Sequence, residues 1–410
     1  AMRAENRPAC TIATVTLELG IDLGQLERVM QVGPSPSVSS FVQRLGRTGR
    51  RGEPGEMFFF SLEEPPDPSG HPIELLPWDL LLSIAQVQLY LEERWVEPMR
   101  PPKLPYSLLY HQTMSALLQF GEMEPAALAQ EILTLPPFGS VSQEDFRALL
   151  LHLLEIDHLQ WTEERHLLIG LAGEKVVNDW RFLATFQDQA EYQVVCEGDH
   201  IGSIGDVPPL GTMIRLAGRT WRVDAVDERQ RTVLVKAVRG KAQSHWIGGG
   251  RDVHDRVVQR LKQVLEEDKD YPYVLPEARR RLAEARDLAR SSAILRKPIQ
   301  QLGEGYTLLT PWVGTRALAG LQLLVGTRLG RSNVVIGRFP FFLKIKLKPV
   351  DWIAELSQPV PVDDIRHALM VDLVPQAGKF DRYLPGDLLI EAYVQDGIDL
   401  EKASELMAGI

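Results

Sequence analysis

Cysteine is almost absent from this sequence, which has only Cys10 and Cys196 among its 410 residues. Two cysteines are too few for a disulfide framework or a cysteine zinc site, so the disulfide-rich and zinc-finger classes are excluded. No apolar run approaches the roughly 20 residues that a membrane helix requires. No charged start followed by an apolar core marks a secretory signal. We therefore expect no membrane partner and a cytoplasmic location.

An excess of positive charge is also lacking. The net charge is −10, whereas contact with a nucleic-acid backbone depends on Lys and Arg. Any role on nucleic acid must therefore use local basic patches. With 44% apolar residues over 410 positions, the chain can bury several cores. Its length predicts about two to four domains.

The clearest basic patch is FVQRLGRTGRR, residues 41–51, which contains four arginines and no acidic residue. The arginine guanidinium is permanently charged and planar, and it fits two phosphate oxygens at once. Taken singly, an Arg-rich helix end is more often a solvated basic face. Here the four arginines are interleaved with Gly46 and Gly49 and are expected beside the loop that contains Asp22. The pattern favours a phosphate ligand.

The elements around this patch follow an α/β order. A β-like run, CTIATVT, begins at residue 10 and leads to Gly20 and Asp22. LERVMQVG, residues 26–33, is a second strand candidate, and GEMFFFSL is a third. Between them, one of the serines begins a helix that ends at the glycines. Strand, loop, strand, helix and strand make one half of a RecA-like sheet.

Two motifs in this stretch resemble a known family. ATVTLELGIDLG looks like motif V and QRLGRTGR looks like motif VI of superfamily 2 helicases, and both most resemble the large helicase-related (Lhr) branch. Each motif alone is a weak signal, but the two occur in order on the predicted strand exit and helix. The resemblance implies an ATP-dependent nucleic-acid helicase.

The resemblance also implies residue roles. Arg47 and Arg50 would be arginine fingers that reach the γ-phosphate of ATP held by a partner RecA domain. Gly20, Asp22, Gln43 and Arg44 would belong to the nucleotide cleft, with Asp22 contacting the ribose or the coupling water. Thr14 would contact a phosphate of the bound strand.

A complete motor also needs a glycine-rich phosphate loop and an acidic pair for Mg²⁺, and neither occurs in these 410 residues. In this family both belong to the RecA domain that comes earlier in the protein. We therefore expect the chain to be the C-terminal portion of a helicase whose ATP and Mg²⁺ are bound in the intact protein. We expect this chain alone to be inactive.

Between two Pro-rich linkers lies a long packing helix, one face of which has residues at helical spacing: Leu81, Ile84, Ala85, Gln88 and Leu89. Three helices and a hairpin follow and predict a winged helix, as the Lhr family also has, and Ser142 with Asp145 predicts a capping box at the start of the third helix. Its would-be recognition helix, 142–156, carries Glu144, Asp145 and Glu155 against Arg147, so reading of base edges is not expected. A brace or strand-separating wedge fits better. The histidines of this region are scattered without ligand companions, so we predict no metal site. They are His111, His152, His158 and His166.

From about Trp180 the sequence changes to short strands, of which RFLATF (residues 181–186) is the first, separated by glycine and charged turns; this pattern predicts a small β-barrel or curled sheet. Basic side chains around exposed aromatics suit a single strand, whose backbone they bind by charge and whose bases they bind by stacking. Trp221 alternates with apolar residues and is expected in the core, whereas Trp246 lies beside a triple-glycine loop and could stack or plug the barrel end. The expected strand-binding residues here are Arg219, Arg239, Lys241 and Trp246.

Beyond the short strands, YTLLTPWVGTRALAGLQLLVGTRLG and FPFFLKIKLKP predict a strand, a buried helix and another strand. The Arg-rich face of residues 279–290 also contains Glu and Asp, which favours a solvated face over a phosphate contact.

The predicted fold class is α/β plus α+β multidomain. The domains are a partial second RecA-like domain (1–64), a linker and packing helix (65–106), a winged helix (107–178), and a barrel-containing domain with a helical and α/β cap (179–410). The expected partners are single-stranded nucleic acid and the preceding RecA domain of the same protein; DNA is the favoured strand, and RNA stays an alternative because phosphate and stacking contacts serve both. A non-catalytic nucleic-acid or protein interaction module is the alternative.

Overall fold

The computed structural model describes residues 10, 26–49, 54–63, 71–185, 192–204, 210–211, 213–216, 219–227, 230–238, 252–302, 305–336, 341–346, 361–369, 374 and 378–409. The chain forms two compact units. Unit 1 comprises Ala1–Leu104, Asp252–Val374 and Gly386–Ile410, and unit 2 comprises Pro105–Arg251 and Pro375–Pro385. The sequence had placed residues 252–374 with the preceding strands, whereas here they group with residues 1–104. The four-domain division stays a prediction.

Helices and β-strands alternate along the described chain. The helices are α1 (Val38–Leu45), α2 (Trp78–Glu93), α3 (Tyr106–Phe120), α4 (Pro125–Leu133), α5 (Gln143–Glu155), α6 (Leu171–Val177), α7 (Asp255–Glu266), α8 (Pro276–Ser291), α9 (Thr315–Leu329), α10 (Val362–Ala368), α11 (Gly386–Ala392) and α12 (Leu400–Ala408). The strands are β1 (Arg28–Val32), β2 (Glu56–Phe60), β3 (Glu122–Met123), β4 (Leu159–Trp161), β5 (Leu167–Ile169), β6 (Tyr192–Cys196), β7 (Asp199–Ile204), β8 (Met213–Leu216), β9 (Arg219–Asp227), β10 (Thr232–Ala237), β11 (Ile299–Gln301), β12 (Thr307–Leu309), β13 (Val334–Ile336) and β14 (Leu343–Ile345).

Strands β1 and β2 form a parallel pair joined by α1, as the sequence predicted for the strand, helix and strand around the arginines. Side chains alternate between the two faces of the pair. On one face, Met57 and Phe59 pack into the core of unit 1. The large side chains of the other face are exposed; they are Met30, Val32, Phe58 and Phe60.

Helix α2 is the centre of unit 1. A helix that is apolar on all sides must be buried on all sides, and α2 packs against α1, α7 and α8. Its buried glutamines have partners: Gln86 Nε2 donates to the Ser35 carbonyl (2.9 Å), and Gln88 Nε2 donates to the Tyr273 hydroxyl (2.7 Å). Its buried residues, which include all five positions that the helical spacing predicted, are Trp78, Leu80, Leu81, Leu82, Ser83, Ile84, Ala85, Gln86, Gln88 and Leu89.

A second core of unit 1 lies between α9 and a four-stranded antiparallel sheet of order β11-β12-β14-β13. Leu318, Leu321 and Val325 of α9 are fully or almost fully buried there. The sequence predicted a strand, a buried helix and another strand over this region, and the structure confirms them as β12, α9 and β14.

Unit 2 begins with α3, α4 and α5, followed by the β4–β5 hairpin, and the short β3 completes a sheet of order β3-β5-β4. These are the three helices and the hairpin that the sequence predicted. Ser142 and Asp145 form the expected capping box at the start of α5, whose first backbone N–H groups would otherwise lack acceptors. The assignment of this order as a winged helix stays a prediction.

The second part of unit 2 is a five-stranded sheet of order β7-β6-β10-β9-β8. In the described residues β7 and β8 are its edges, so no closed barrel is seen, in contrast to the expectation. Trp221 is confirmed in the core of this sheet: it is 4% exposed, and its indole donates to the Leu216 carbonyl (2.8 Å). Residues 181–186 were predicted as a strand, but Trp180–Leu183 is a turn of 3₁₀-helix.

A cluster of aromatic and histidine rings joins α3 to residues 378–384, a segment more than 250 positions away in the sequence. Phe380 packs on Tyr110, His111 and Phe182. The Tyr110 hydroxyl is 2.8 Å from His158 Nδ1. Burial is the main cause that lowers the pKa of both His111 and His158 from 6.5. Both imidazoles are therefore held in their neutral form.

The two neutral histidines make the stability of unit 2 depend on pH. Because their pKa is lower in the folded chain, the unfolded chain binds protons first as the pH falls below about 6.5. We expect the free energy of unfolding of unit 2 to be lower at about pH 5.5 than at about pH 7.5. Urea unfolding at both pH values, followed by near-UV circular dichroism, measures this difference. A His111→Gln, His158→Gln double variant should lose most of it, and an unchanged difference would contradict the assignment.

The buried Trp221 should be essential to the five-stranded sheet. Replacing a buried tryptophan by alanine costs about 3–5 kcal/mol, so Trp221→Ala should unfold or strongly destabilise this part of unit 2. Trp180, which is 77% exposed in the same unit, provides the control. Thermal unfolding of Trp180→Ala should match that of the unmodified chain. Equal melting of both variants would show that Trp221 does not hold the sheet together.

Candidate functional site

Helix α1, which carries the first of the arginines, is set by local signals at both ends. Its N-cap is Ser37, whose side chain accepts from the Ser40 backbone N–H, so a serine begins the helix as predicted. Phe41 is buried against Phe59 and against the edge of Tyr90. The helix ends at Gly46, and the chain continues directly into Arg47.

The segment after α1 lies beside the residues that lead into β1. The Leu26 backbone N–H donates to the Arg47 carbonyl (2.9 Å), and Leu26 and Thr48 form an isolated parallel bridge. The Arg47 backbone is therefore fixed at the edge where β1 begins. Leu26 comes four residues after Asp22 in the sequence, so backbone pairing connects the surroundings of the two motifs.

Glycine is required at two places in this turn. Gly49 has a φ of 87°, a backbone conformation that other residues rarely adopt. A Cβ at Gly55 would overlap the Thr48 hydroxyl oxygen, which donates to the Leu45 carbonyl (2.7 Å). The glycines thus permit a tight return from the arginine segment into β2.

The arginine and glutamine of α1 have different surroundings. The Arg44 guanidinium donates to the side-chain oxygen of Gln31, a residue of β1 that is 9% exposed. Gln43 is exposed, and Arg47 is half-buried. Sequence reasoning missed Gln31, although a glutamine in the apolar strand RVMQV is a signal, because a buried amide needs a partner.

Several predicted site residues lie outside the described part of the chain, so their roles stay predictions. They are Thr14, Gly20, Asp22, Arg50, Arg239, Lys241 and Trp246. The structure brings the Arg47 backbone to Leu26, just before β1, and the Arg44 side chain to Gln31 of β1. Arg219 belongs to unit 2 and is considered separately.

Of the residues predicted to bind the strand in this region, the structure describes Arg219, and two further cations, Arg222 and Lys236, lie on the outer face of the same five-stranded sheet. Arg219 begins β9 and is exposed. Arg222 of β9 lies opposite Lys236 of β10, an arrangement in which two like charges repel. Asp224 relieves it: its carboxylate is 2.9 Å from Arg222 and 3.1 Å from Lys236.

A bulge in β9 places Asp224 between the two cations. Leu234 of β10 lies opposite Ala225 and Val235 lies opposite Val223, so Asp224 is the extra residue of β9. Hydrogen bonds from Arg222 and Lys236 hold the pKa of Asp224 below its usual value. The carboxylate therefore stays charged at neutral pH and cancels part of the positive charge of this face.

The basic helix α8 has the solvated, ion-paired face that the sequence favoured. Its arginines bind protein groups within unit 1: Arg279 pairs with Asp270, Arg281 with Glu63, and Arg290 with Asp268. Arg286 is buried and donates to the Val264 and Lys269 carbonyls. These contacts attach α8 to the loop before it and to the segment after β2.

One group of side chains in the described residues has ligand atoms close enough for a metal ion: Glu122, Glu164 and His166. The prediction that the histidines lack carboxylate companions is therefore wrong for His166. The group is largely exposed, and His166 Nδ1 lies 3.2 Å from a Glu122 carboxylate oxygen. An ordinary ion pair accounts for this geometry.

Comparison with known proteins indicates the same family resemblance as the two motifs. Residues 2–52 match the helicase conserved C-terminal domain. The chain is 34% identical over 268 residues to the Lhr helicase/uracil glycosylase of Escherichia coli (strain K12), a match covering 59% of this chain and 16% of that protein. It is 29% identical over 145 residues to the Lhr helicase/probable uracil glycosylase of Mycolicibacterium smegmatis. This match covers 35% of this chain and 9% of that protein.

A third relative, the ATP-dependent helicase Lhr-Core protein 2 of Thermococcus barophilus, is 26% identical over 231 residues, covering 52% of this chain and 25% of that protein. The chain thus spans a quarter or less of the length of these curated relatives. The crystal structure of the DUF1998 helicase MrfA bound to DNA aligns with 55% of this chain and 29% of its own, at 19% identity and a TM-score of 0.29, which supports no conclusion.

None of the helices in the described residues is both long and apolar enough to cross a membrane. The matches confirm the resemblance that the two motifs carry: this chain is related to the Lhr helicases of superfamily 2 and contains, at residues 2–52, sequence of the helicase conserved C-terminal domain.

Proposed function

We propose that this chain is the C-terminal portion of an ATP-dependent nucleic-acid helicase and supplies its arginine fingers. The observation that carries the proposal is the backbone pairing of Leu26 with Arg47 and Thr48. This pairing supports a common site for the GID and RTGR sequences, because the first ends four residues before Leu26. The domain match over residues 2–52 covers both sequences.

In this proposal, ATP and Mg²⁺ are held by the preceding RecA domain of the intact protein. Arg47 and Arg50 would extend to the γ-phosphate and offset the charge that gathers on the phosphoryl group in the transition state. The fixed backbone and half-buried side chain of Arg47 fit that role, since an arginine that is placed in advance loses little freedom on binding phosphate.

Other residues of the proposed nucleotide cleft would position the nucleotide and would take no part in the chemical step. The bond from Arg44 to Gln31 ties the last turn of α1 to β1 and so supports a place for Arg44 beside the nucleotide. Gln43, the residue before Arg44, is exposed. Gly20 and Asp22 complete the proposed nucleotide contacts, and Asp22 would bind the ribose or the coupling water.

For strand binding, we propose unit 2 together with Thr14. Single-stranded DNA is the proposed ligand, held by Arg219, Arg239 and Lys241 through its phosphates and by Trp246 through base stacking. The exposed Arg219 and the outer-face cations of β9 and β10 support this assignment. Asp224 would limit the affinity of the same face.

Removal of the Arg47 guanidinium tests the finger role. In the protein with its preceding RecA domain, Arg47→Ala should lower ATP turnover by a factor on the order of 10³, while strand binding is retained. Arg290→Ala is a matched control, because it removes an arginine of unit 1 that binds the exposed Asp268. Turnover is measured by phosphate release and strand binding by fluorescence anisotropy. Turnover within a few-fold of the unmodified protein would show that Arg47 is not an arginine finger, whereas no turnover by the unmodified protein would favour the non-catalytic interaction module.

Neutralising Asp224 tests the strand-binding face. Asp224→Asn would leave the Arg222 and Lys236 charges unshared, so single-stranded DNA should bind more tightly and the slope of log K against log salt should steepen by about one. Asp199→Asn, on the edge strand β7, changes the net charge equally and should have little effect. Anisotropy titrations over a range of salt concentrations measure both. Equal behaviour of the two variants would exclude this face from the binding surface.

A further inference from the structure

Glu97 lies in a Pro-rich segment that the sequence presents as a linker, yet it binds the helix that carries the arginines. One of its carboxylate oxygens accepts from the Val38 backbone N–H (2.9 Å), and the other accepts from the Ser39 N–H (3.0 Å). Val38 and Ser39 are the first two residues of α1. A side chain almost 60 positions away in the sequence therefore caps this helix.

The first N–H groups of a helix have no acceptor inside the helix and carry a partial positive charge. A carboxylate both accepts these hydrogen bonds and carries the opposite charge. Hydrogen bonds to a charged acceptor are about twice as strong as neutral ones. The Ser37 hydroxyl accepts from the next N–H group, that of Ser40 (2.9 Å). All three initial donors of α1 are thus bound by side chains, and Glu97 binds two of them.

The position of α1 decides where the arginines lie. The helix has eight residues, and Phe41 in its middle is buried between Phe59 and Tyr90, with ring centroids 5.7 and 5.8 Å away. With Phe41 as the pivot, a shift of the N-terminal end moves the C-terminal end, and with it Arg47. Glu97 therefore fixes the N-terminal end of α1, whereas Arg47 follows its C-terminal end.

The same segment is held again further along. The Asp396 carboxylate accepts from the Lys103 N–H (2.8 Å) and the Leu104 N–H (2.9 Å), one oxygen to each. Leu104 is the last residue before unit 2. Two carboxylates that each bind a pair of consecutive amides thus hold the chain between α1 and the start of unit 2.

We propose that Glu97 is a positioning residue that places Arg47 for ATP turnover by holding the N-terminus of α1. The segment from Glu97 to Leu104 is itself held within unit 1, because Asp396 at its other end belongs to the same unit. This inference rests on the proposed function. It assigns to Glu97 no contact with ATP and none with the strand.

The test uses Glu97→Gln, which keeps the shape of the side chain but turns one of its two acceptors into an amide donor that faces a backbone N–H. Glu93→Gln is the matched control, because Glu93 lies four residues earlier and pairs with Arg256 instead. In the 410-residue chain, hydrogen exchange of the Val38 and Ser39 amides should be about tenfold faster in Glu97→Gln, as loss of a helix cap corresponds to a factor of about 2 to 30. It should be unchanged in Glu93→Gln.

In the protein with its preceding RecA domain, Glu97→Gln should lower the strand-stimulated kcat for ATP by about tenfold, the same factor as the loss of the cap. The KM for ATP and the Kd for single-stranded DNA should stay within about twofold, because neither ligand touches Glu97. General unfolding would raise both constants, so the split between kcat and KM separates positioning from stability.

Faster amide exchange with unchanged kcat would overturn the proposal, since Glu97 would then be a cap alone. Unchanged amide exchange would overturn it as well, because the Glu97 carboxylate would then not bind the Val38 and Ser39 N–H groups in solution. If the unmodified protein hydrolyses no ATP at all, the proposed function fails and the positioning role of Glu97 in turnover fails with it. In that case the exchange experiment still shows whether Glu97 binds the Val38 and Ser39 N–H groups. A failure of the proposed function can therefore be distinguished from a failure of the Glu97 contact.

Discussion

Burial of α2 is the constraint on which unit 1 depends. Ten of its 16 residues are buried, so most of its surface requires packing partners, and α1, α7 and α8 provide them. Tyr90 of α2 also contacts Phe41, and Gln86 binds the carbonyl of Ser35, just ahead of α1. The arginine helix is thereby oriented by the hydrophobic core of its own unit as well as by the strand pair beneath it.

Charge is distributed locally in a chain that is acidic as a whole. The arginines of α8 are bound to carboxylates and carbonyls, so they stabilise unit 1 and contribute little free positive charge. On the sheet of unit 2, Asp224 separates two cations that would otherwise repel. In both places the arrangement of partners, more than the number of Lys and Arg residues, decides which basic groups are accessible to a phosphate.

The sequence was most informative where the determining interactions are local. Helical spacing predicted the buried positions of α2, Ser142 and Asp145 predicted the start of α5, and alternation predicted that Trp221 is buried. The two helicase motifs identified the family before any contact was known. For the site, they indicated the arginine segment but gave no information on what orients it.

Interactions between distant segments were not predictable in this way. Nothing near Glu97 marks it as a helix cap, because its partners lie almost 60 residues earlier. The bulge at Asp224 depends on the register between β9 and β10, and the 3₁₀ turn at Trp180–Leu183 buries Phe182 against rings from residues 378–384. The grouping of residues 252–374 with the first hundred likewise depends on the packing of α7 and α8 against α2.

That packing has a consequence for synthesis on the ribosome. Helix α2 is translated long before α7, and at rates of about 5–20 residues per second the interval between them is roughly ten to thirty seconds. During this time the apolar surface of α2 has no permanent cover from α7 or α8. Unit 2, whose first segment is complete by residue 251, has the opportunity to fold first.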